Sequence, residues 1–233
     1  MTSTAQQRHP EQSRKNSEVD RRRVILIAHG SPDERHAAAV STIADRIAVT
    51  LGMTTEPCYL EHDVPRAQEF LAHPEAGQTA VLPLLLTAGF HWRTDIPPLF
   101  ARPGQDIRLV APPPPRIFAE GIAESVQGHA VTQLVVALAG SRSLKLMDRC
   151  AEMESEIGRK LGAGVSVTTA LTPSEVGEKA TSKSIVIPLV VAPGILCDRI
   201  TQAGEAAGAM VAPPFGSTRN FAGALAAYLI ENI

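Results

Sequence analysis

Aromatic residues are scarce: they make up 4% of the 233-residue chain, and Trp92 is its only tryptophan. There are only three cysteines, Cys58, Cys150 and Cys197, and no two of them stand at metal-ligand or redox spacing. An odd, scattered set excludes a disulfide framework and a cysteine cage, and it points to reduced thiols in a cytoplasmic protein. Charge of either sign is nearly balanced, at net −2, so the sequence gives no electrostatic case for nucleic acid or an anionic membrane. No apolar run reaches the roughly 20 residues of a membrane span, and the first residues lack a signal-peptide apolar core. Neither a G-x-G-x-x-G after a strand nor a Walker-type loop appears, so no nucleotide or organic cofactor is expected.

What is present is a repeated alternation of buried strands and helices. Residues 1–20 are polar and are expected to form a disordered tail, and Arg21-Arg22-Arg23 is expected as a solvated lead-in to the first strand. Val24 to Ala28, Thr54 to Leu60, Gln78 to Leu86 and Ile107 to Ala111 read as strands, the first, and the third from Ala80 to Leu86, as all-apolar runs suited to a parallel sheet covered on both faces. A helix follows the first strand, with Ser31 as N-cap, Pro32 in its first turn, an apolar stripe from Ala37 to Leu51 and a stop at Gly52. Further helices are expected at Val64 to Leu71, Asp95 to Ala101, Ile117 to Gly128, Met147 to Leu161 and Phe221 to Ile230.

The pattern then restarts. The run ending Ala139-Gly140-Ser141 repeats the one ending His29-Gly30-Ser31, and Ser184 to Gly194 repeats the third strand, with Pro188 on Pro83 and Gly194 on Gly89. Met210 to Pro214 repeats Leu109 to Pro113. This is an internal duplication with a period of about 105 residues, longer than solenoid repeats. It divides the chain into a tail (1–20), a first domain (21–128) and a second (129–233), each an α/β unit with a parallel sheet and right-handed crossovers. A duplication within one chain favours a monomer with two pseudo-symmetric halves.

Glycines, prolines and apolar strands recur between the halves; the polar residues at strand ends do not. His29 falls on Ala139 and His91 on Leu196. Histidines serving the fold would be needed twice, so the first half carries the chemistry and the second supplies a wall or lid. In open α/β sheets, ligands bind beyond the carboxyl ends of the strands, where both histidines are expected. Glu61, at the end of the second strand, is a metal ligand or a proton acceptor beside them, or else a solvated carboxylate. Arg93 binds a carboxylate or is plain surface, Trp92 is core or an apolar wall, and His36 is expected to be solvated on the first helix. Two imidazoles and a carboxylate suit a divalent first-row transition metal held in an open site.

These residues carry a resemblance. His29-Gly30-Ser31 with Asp33, Leu60-Glu61 with Pro65, and the stretch Pro83 to Asp95 with its glycine, histidine and aspartate are similar to the class II chelatases of the sirohydrochlorin chelatase group. The resemblance covers residues 24 to 230, more closely in the first half, and Phe90 and Trp92 are local departures from it. It implies two flavodoxin-like domains facing across a cleft. It also implies Fe2+ or Co2+ as metal substrate and a tetrapyrrole as partner in siroheme or cobalamin biosynthesis. His29 and His91 become the active-site histidines and Glu61 their acidic partner. A carboxylate-rich tetrapyrrole calls for basic residues at the cleft mouth, with Arg35, Arg93, Arg142 and Arg199 as candidates. A non-catalytic metal carrier or tetrapyrrole-binding protein is the alternative, and a hydrolase using Ser31 is a third, with no acid–base relay to support it.

Overall fold

The computed structural model describes residues 22–72, 78–86, 90–100, 107–139 and 143–233. The expected tail, Gly89, Gly140, Ser141 and Arg142 lie outside the described residues.

Among the described residues, eight strands form two parallel sheets of four. β1 (Arg23–Ala28), β2 (Thr54–Tyr59), β3 (Thr79–Pro83) and β4 (Ile107–Leu109) lie in the order β2-β1-β3-β4. β5 (Gln133–Ala137), β6 (Ser166–Ala170), β7 (Ser184–Pro188) and β8 (Met210–Val211) repeat it as β6-β5-β7-β8. All pairings are parallel, so each sheet is an open α/β sheet of the doubly wound type. The alternation of side chains on a strand explains the apolar runs. Val24, Leu26 and Ala28 of β1 face a central core, whereas Ile25 and Ile27 face an outer one with Cys58, Leu71, Val81 and Ile96. β5 divides the same way, Leu134 and Val136 inward, Val135 and Ala137 outward.

The central core joins the halves. α1 (Glu34–Leu51) buries Val40, Ile43, Ala44 and Ile47, an i, i+3, i+4, i+7 stripe, and ends at Gly52 in the left-handed region. α6 (Leu144–Leu161) does the same in the second half with Leu146, Cys150, Met153 and Ile157. Each half then sends its last segment across. The 3-10 turn Pro115–Phe118 and α5 (Ala119–Ser125) pack on α6, and α9 (Arg219–Asn232) packs on α1. Phe118, Phe215 and Phe221 meet at the crossing, the first and last stacked with ring centroids 4.9 Å apart.

Several expectations shift. The cap of α1 is Asp33, which accepts from the Arg35 N–H; Ser31 instead accepts from the Asp33 N–H, so Pro32 precedes the helix. Arg23 belongs to β1, 8% exposed, and bonds Thr79 of β3. β3 stops at Pro83 because its neighbour β1 ends at Ala28, which frees Leu84 to Leu86 for another use. α2 is Ala67–Ala72, after a cis Val64–Pro65 bond. α3 (Phe90–Thr94) is not anticipated, and the helix expected from Asp95 to Ala101 is α4 (Ile96–Leu99); the two stay separate since Pro97 and Pro98 cannot donate back to α3. α7 (Pro173–Lys179) and α8 (Ile195–Ala206) are not anticipated, although α8 buries Cys197, Ile200 and Gly204 at helical spacing. The repeat also slips at β8. Met210 pairs beside Ile185 as Arg108 pairs beside Ala80, so Met210 takes the place of Arg108 and not that of Leu109. From strand to the following 3-10 turn the second half is shorter (Val211 to Pro214 against Leu109 to Pro114), and the proline run misaligns the strands.

Candidate active site

The site grows out of the end of β1. Beyond Ala28 the chain must turn sharply past the end of β2. Gly30 has φ +90°, and a Cβ there would stand 1.7 Å from the Glu61 carbonyl oxygen, so only glycine fits. The Glu61 N–H donates to the His29 carbonyl at 2.8 Å, and Asp63 accepts from the Ser31 N–H at 3.1 Å. These bonds fix His29 beside the β2 exit.

His91 arrives from a different element. The expected position directly after β3 is replaced by one on the first turn of α3. The two imidazoles nevertheless meet, with ring centroids 4.5 Å apart and planes at 77°. His29 Nδ1 lies 3.0 Å from the Gly30 carbonyl oxygen, and His91 Nδ1 lies 2.5 Å from Asp95 Oδ2. Carbonyl and carboxylate oxygens accept, so each Nδ1 carries a proton and, in the neutral imidazole, each Nε2 is the donor nitrogen. Two neighbouring neutral imidazoles are a ligand pair for a first-row divalent metal.

The pair opens on a cleft of about 460 Å³ between the halves. One wall is His29, His36, His91 and the Leu84 to Leu86 run released from β3; the other is Ala139 and the Leu189 to Cys197 stretch. Ala139 and Leu196, the counterparts of the two histidines, therefore line the same cleft as apolar surface. The size and apolar character suit an organic ligand of substantial area.

Glu61 is close by backbone but not by side chain. Its carboxylate, 60% exposed, lies 3.6 Å from His62 Nε2 and faces a separate depression shared with Arg66, Glu69 and Asp95. Among the described residues no three His, Cys, Asp or Glu side chains are placed to hold a metal ion together. The structure thus brings His29 and His91 together and leaves the Glu61 carboxylate to one side. Of the basic residues, Arg35 is bound to Asp33 and reaches across to Asp198 of α8 at 2.7 Å, which holds the Asp33 carboxyl well below the usual range. Arg93 is exposed on α3, and Arg199 is exposed on α8 rather than at a strand end. None of the three lines the cleft.

The sequence marks Asp95 as the aspartate of the stretch that carries the family resemblance and as a helix start, but gives it no role at the site; the signal for one is the i, i+4 spacing from His91 on a helical turn. His36, expected in solvent, has a side chain 13% exposed in the cleft wall, with Nδ1 3.4 Å from Asp63. Burial lowers its pKa, opposed by Asp63. It stands one turn before Val40 on the buried stripe of α1, which was the available signal.

The chain is thus a two-sheet α/β protein with paired histidines on a cleft between its halves. The model of the CbiX family matches residues 23–172, and the chain belongs to that family. No curated protein matches the sequence. Among solved structures it is similar to the sirohydrochlorin chelatase SirB from Bacillus subtilis subspecies spizizenii in complex with cobalt, at TM-score 0.75 and 14% identity, covering 91% of this chain and 95% of that one. It is also similar to CbiX, the terminal enzyme for biosynthesis of siroheme in denitrifying bacteria, at TM-score 0.67 and 19% identity, covering 91% and 99%. SirB from Bacillus subtilis with Fe3+ aligns at TM-score 0.70 and 16% identity, covering 91% and 95%.

Proposed function

We propose that this chain is a metal-inserting chelatase that places Fe2+ or Co2+ into sirohydrochlorin or a related tetrapyrrole. The observation that carries the reading is the His29–His91 pair, whose imidazoles meet in the wall of an apolar cleft. Family membership and the chelatases of the same fold, seen with cobalt and Fe3+, support it. Residues 21–128 form the site-bearing domain and 129–233 the repeat that walls the cleft. No helix among the described residues is long and apolar enough to cross a membrane.

The steps follow from the groups. His29 and His91 hold the metal through neutral imidazoles, so protons compete with metal and binding weakens in acid. With only these two side chains gathered, most of the metal's coordination sphere is open to water and then to pyrrole nitrogens. The apolar walls Leu84 to Leu86 and Leu189 to Leu196 take the macrocycle, while its carboxylates remain in solvent toward Arg93 and Arg199. Arg35 joins them by exchanging Asp198 for a substrate carboxylate. Pyrrole nitrogens must lose their protons as the metal enters, and Glu61, exposed beside the pair, accepts them.

The test is the rate at which purified protein converts sirohydrochlorin to its cobalt complex, followed by absorbance, against the same metal without protein. A rate well above the free-metal background is expected. Tight binding of metal and tetrapyrrole with a background rate would make the protein a carrier.

A further inference from the structure

We infer that Asp95 is a positioning residue for His91: its carboxylate fixes the tautomer and orientation of that imidazole and makes His91 the stronger metal donor of the pair. This rests on the reading of His29 and His91 as the residues that hold the metal.

The two imidazoles are not backed alike. His29 donates from Nδ1 to a neutral carbonyl, that of Gly30, at 3.0 Å; His91 donates to a carboxylate at 2.5 Å. A charge-assisted bond of that length is the stronger kind. A carboxylate behind a ligating imidazole fixes the ring and raises its basicity at the other nitrogen. Asp95 has no capping use at the N-cap of α4: the residues whose N–H groups a cap would accept from are Pro97 and Pro98, which have none, and its side chain makes no capping bond. Its carboxylate faces His91, and the Asp95 N–H donates to the His91 carbonyl at 3.0 Å, which sets the spacing.

The second half gives an internal comparison. α3 and α8 begin at Phe90 and Ile195, the same separation as Pro83 and Pro188. At that offset Leu196 replaces His91 and Ile200 replaces Asp95. Ile200 is 1% exposed in the outer core of its half. The histidine and the aspartate are thus absent together from the half that has no metal-binding pair, as expected if the aspartate exists to serve the histidine.

Two measurements on Asp95→Ala and Asp95→Asn decide it, with circular dichroism to confirm the fold; Asp95 is 40% exposed, so both variants should fold. The first is the tautomer of His91 in metal-free protein, read from imidazole nitrogen chemical shifts. Wild type should hold the proton on Nδ1. Asp95→Asn, which keeps an acceptor oxygen, should do the same, and Asp95→Ala should admit the Nε2–H form. The second is calorimetric titration with cobalt alone. Affinity should fall about ten- to a hundredfold in Asp95→Ala and by less in Asp95→Asn. An unchanged tautomer and unchanged cobalt affinity in Asp95→Ala, beside a large loss in His91→Ala, would overturn the inference. Wild-type affinity in His91→Ala would instead remove the metal-pair reading and the donor ranking with it, while the metal-free tautomer would still decide whether Asp95 sets His91.

Discussion

Glu61 is the residue whose role turns most on its placement. Its carboxylate is exposed, lies beside His62, and stands outside the His29–His91 pair. A group so placed can take protons without holding metal, and a site that must hand its metal on gains little from a third strong ligand. Glu61→Gln keeps the shape and an acceptor oxygen but cannot be protonated at working pH. The expected result is a lower turnover rate at saturating metal with cobalt affinity nearly unchanged; a large loss of affinity with turnover intact would make Glu61 a ligand. His36 gives a pH test. The fold buries it as the neutral imidazole, facing Asp63, Asp33, Tyr59 and His29, and lowers its pKa from the ordinary 6.5. Below 6.5 the unfolded chain therefore binds the proton more readily than the folded one. Stability from this group is complete above that pH and is lost as pH falls toward the lowered folded value. Between pH 7 and 5 the Tm of wild type should fall more steeply than that of His36→Gln. Parallel Tm curves would show that His36 is not the titrating group.

Elements decide how the residues meet. β1 and β2 deliver His29 and Glu61 as neighbours through a crossing that leaves no room at Gly30. Gly30→Ala forces a Cβ onto a backbone oxygen at a left-handed position, and a carbonyl cannot turn aside as a side chain can. The expected cost is about 2–4 kcal/mol, read as a lower urea midpoint, from strain and overpacking together. An unchanged midpoint would mean the crossing is looser than described. This level also explains what was legible in the sequence. His29 and His91 stood out because their counterparts Ala139 and Leu196 keep the strands and turns but drop the polarity. The role of Asp95 did not, although the residue closes the Pro83 to Asp95 stretch, because Ile96-Pro97-Pro98 reads as a helix start and hides that the aspartate belongs to the preceding turn. His36 did not, because one polar residue on an apolar stripe looks like the stripe's edge. The β8 slip escaped because the proline runs align better than the strands do, and register is set by backbone pairing.

At the scale of the whole molecule, duplication has produced two sheets around one central core, closed by an exchange of terminal helices: α5 lies on α6 and α9 on α1. The exchange holds both walls of the cleft in one rigid frame, and the Arg35–Asp198 pair adds a tie across its mouth. One half keeps the histidines and the other presents apolar surface in their place, so the cleft has one imidazole-bearing side and one apolar side. The central claim is that the His29–His91 pair inserts the metal. Its most direct measurement is the protein-dependent rate of cobalt insertion into sirohydrochlorin by His29→Ala and His91→Ala, each shown to be folded. The account predicts that both fall to the rate of free metal while wild type stays well above it; wild-type rates in either variant would contradict it.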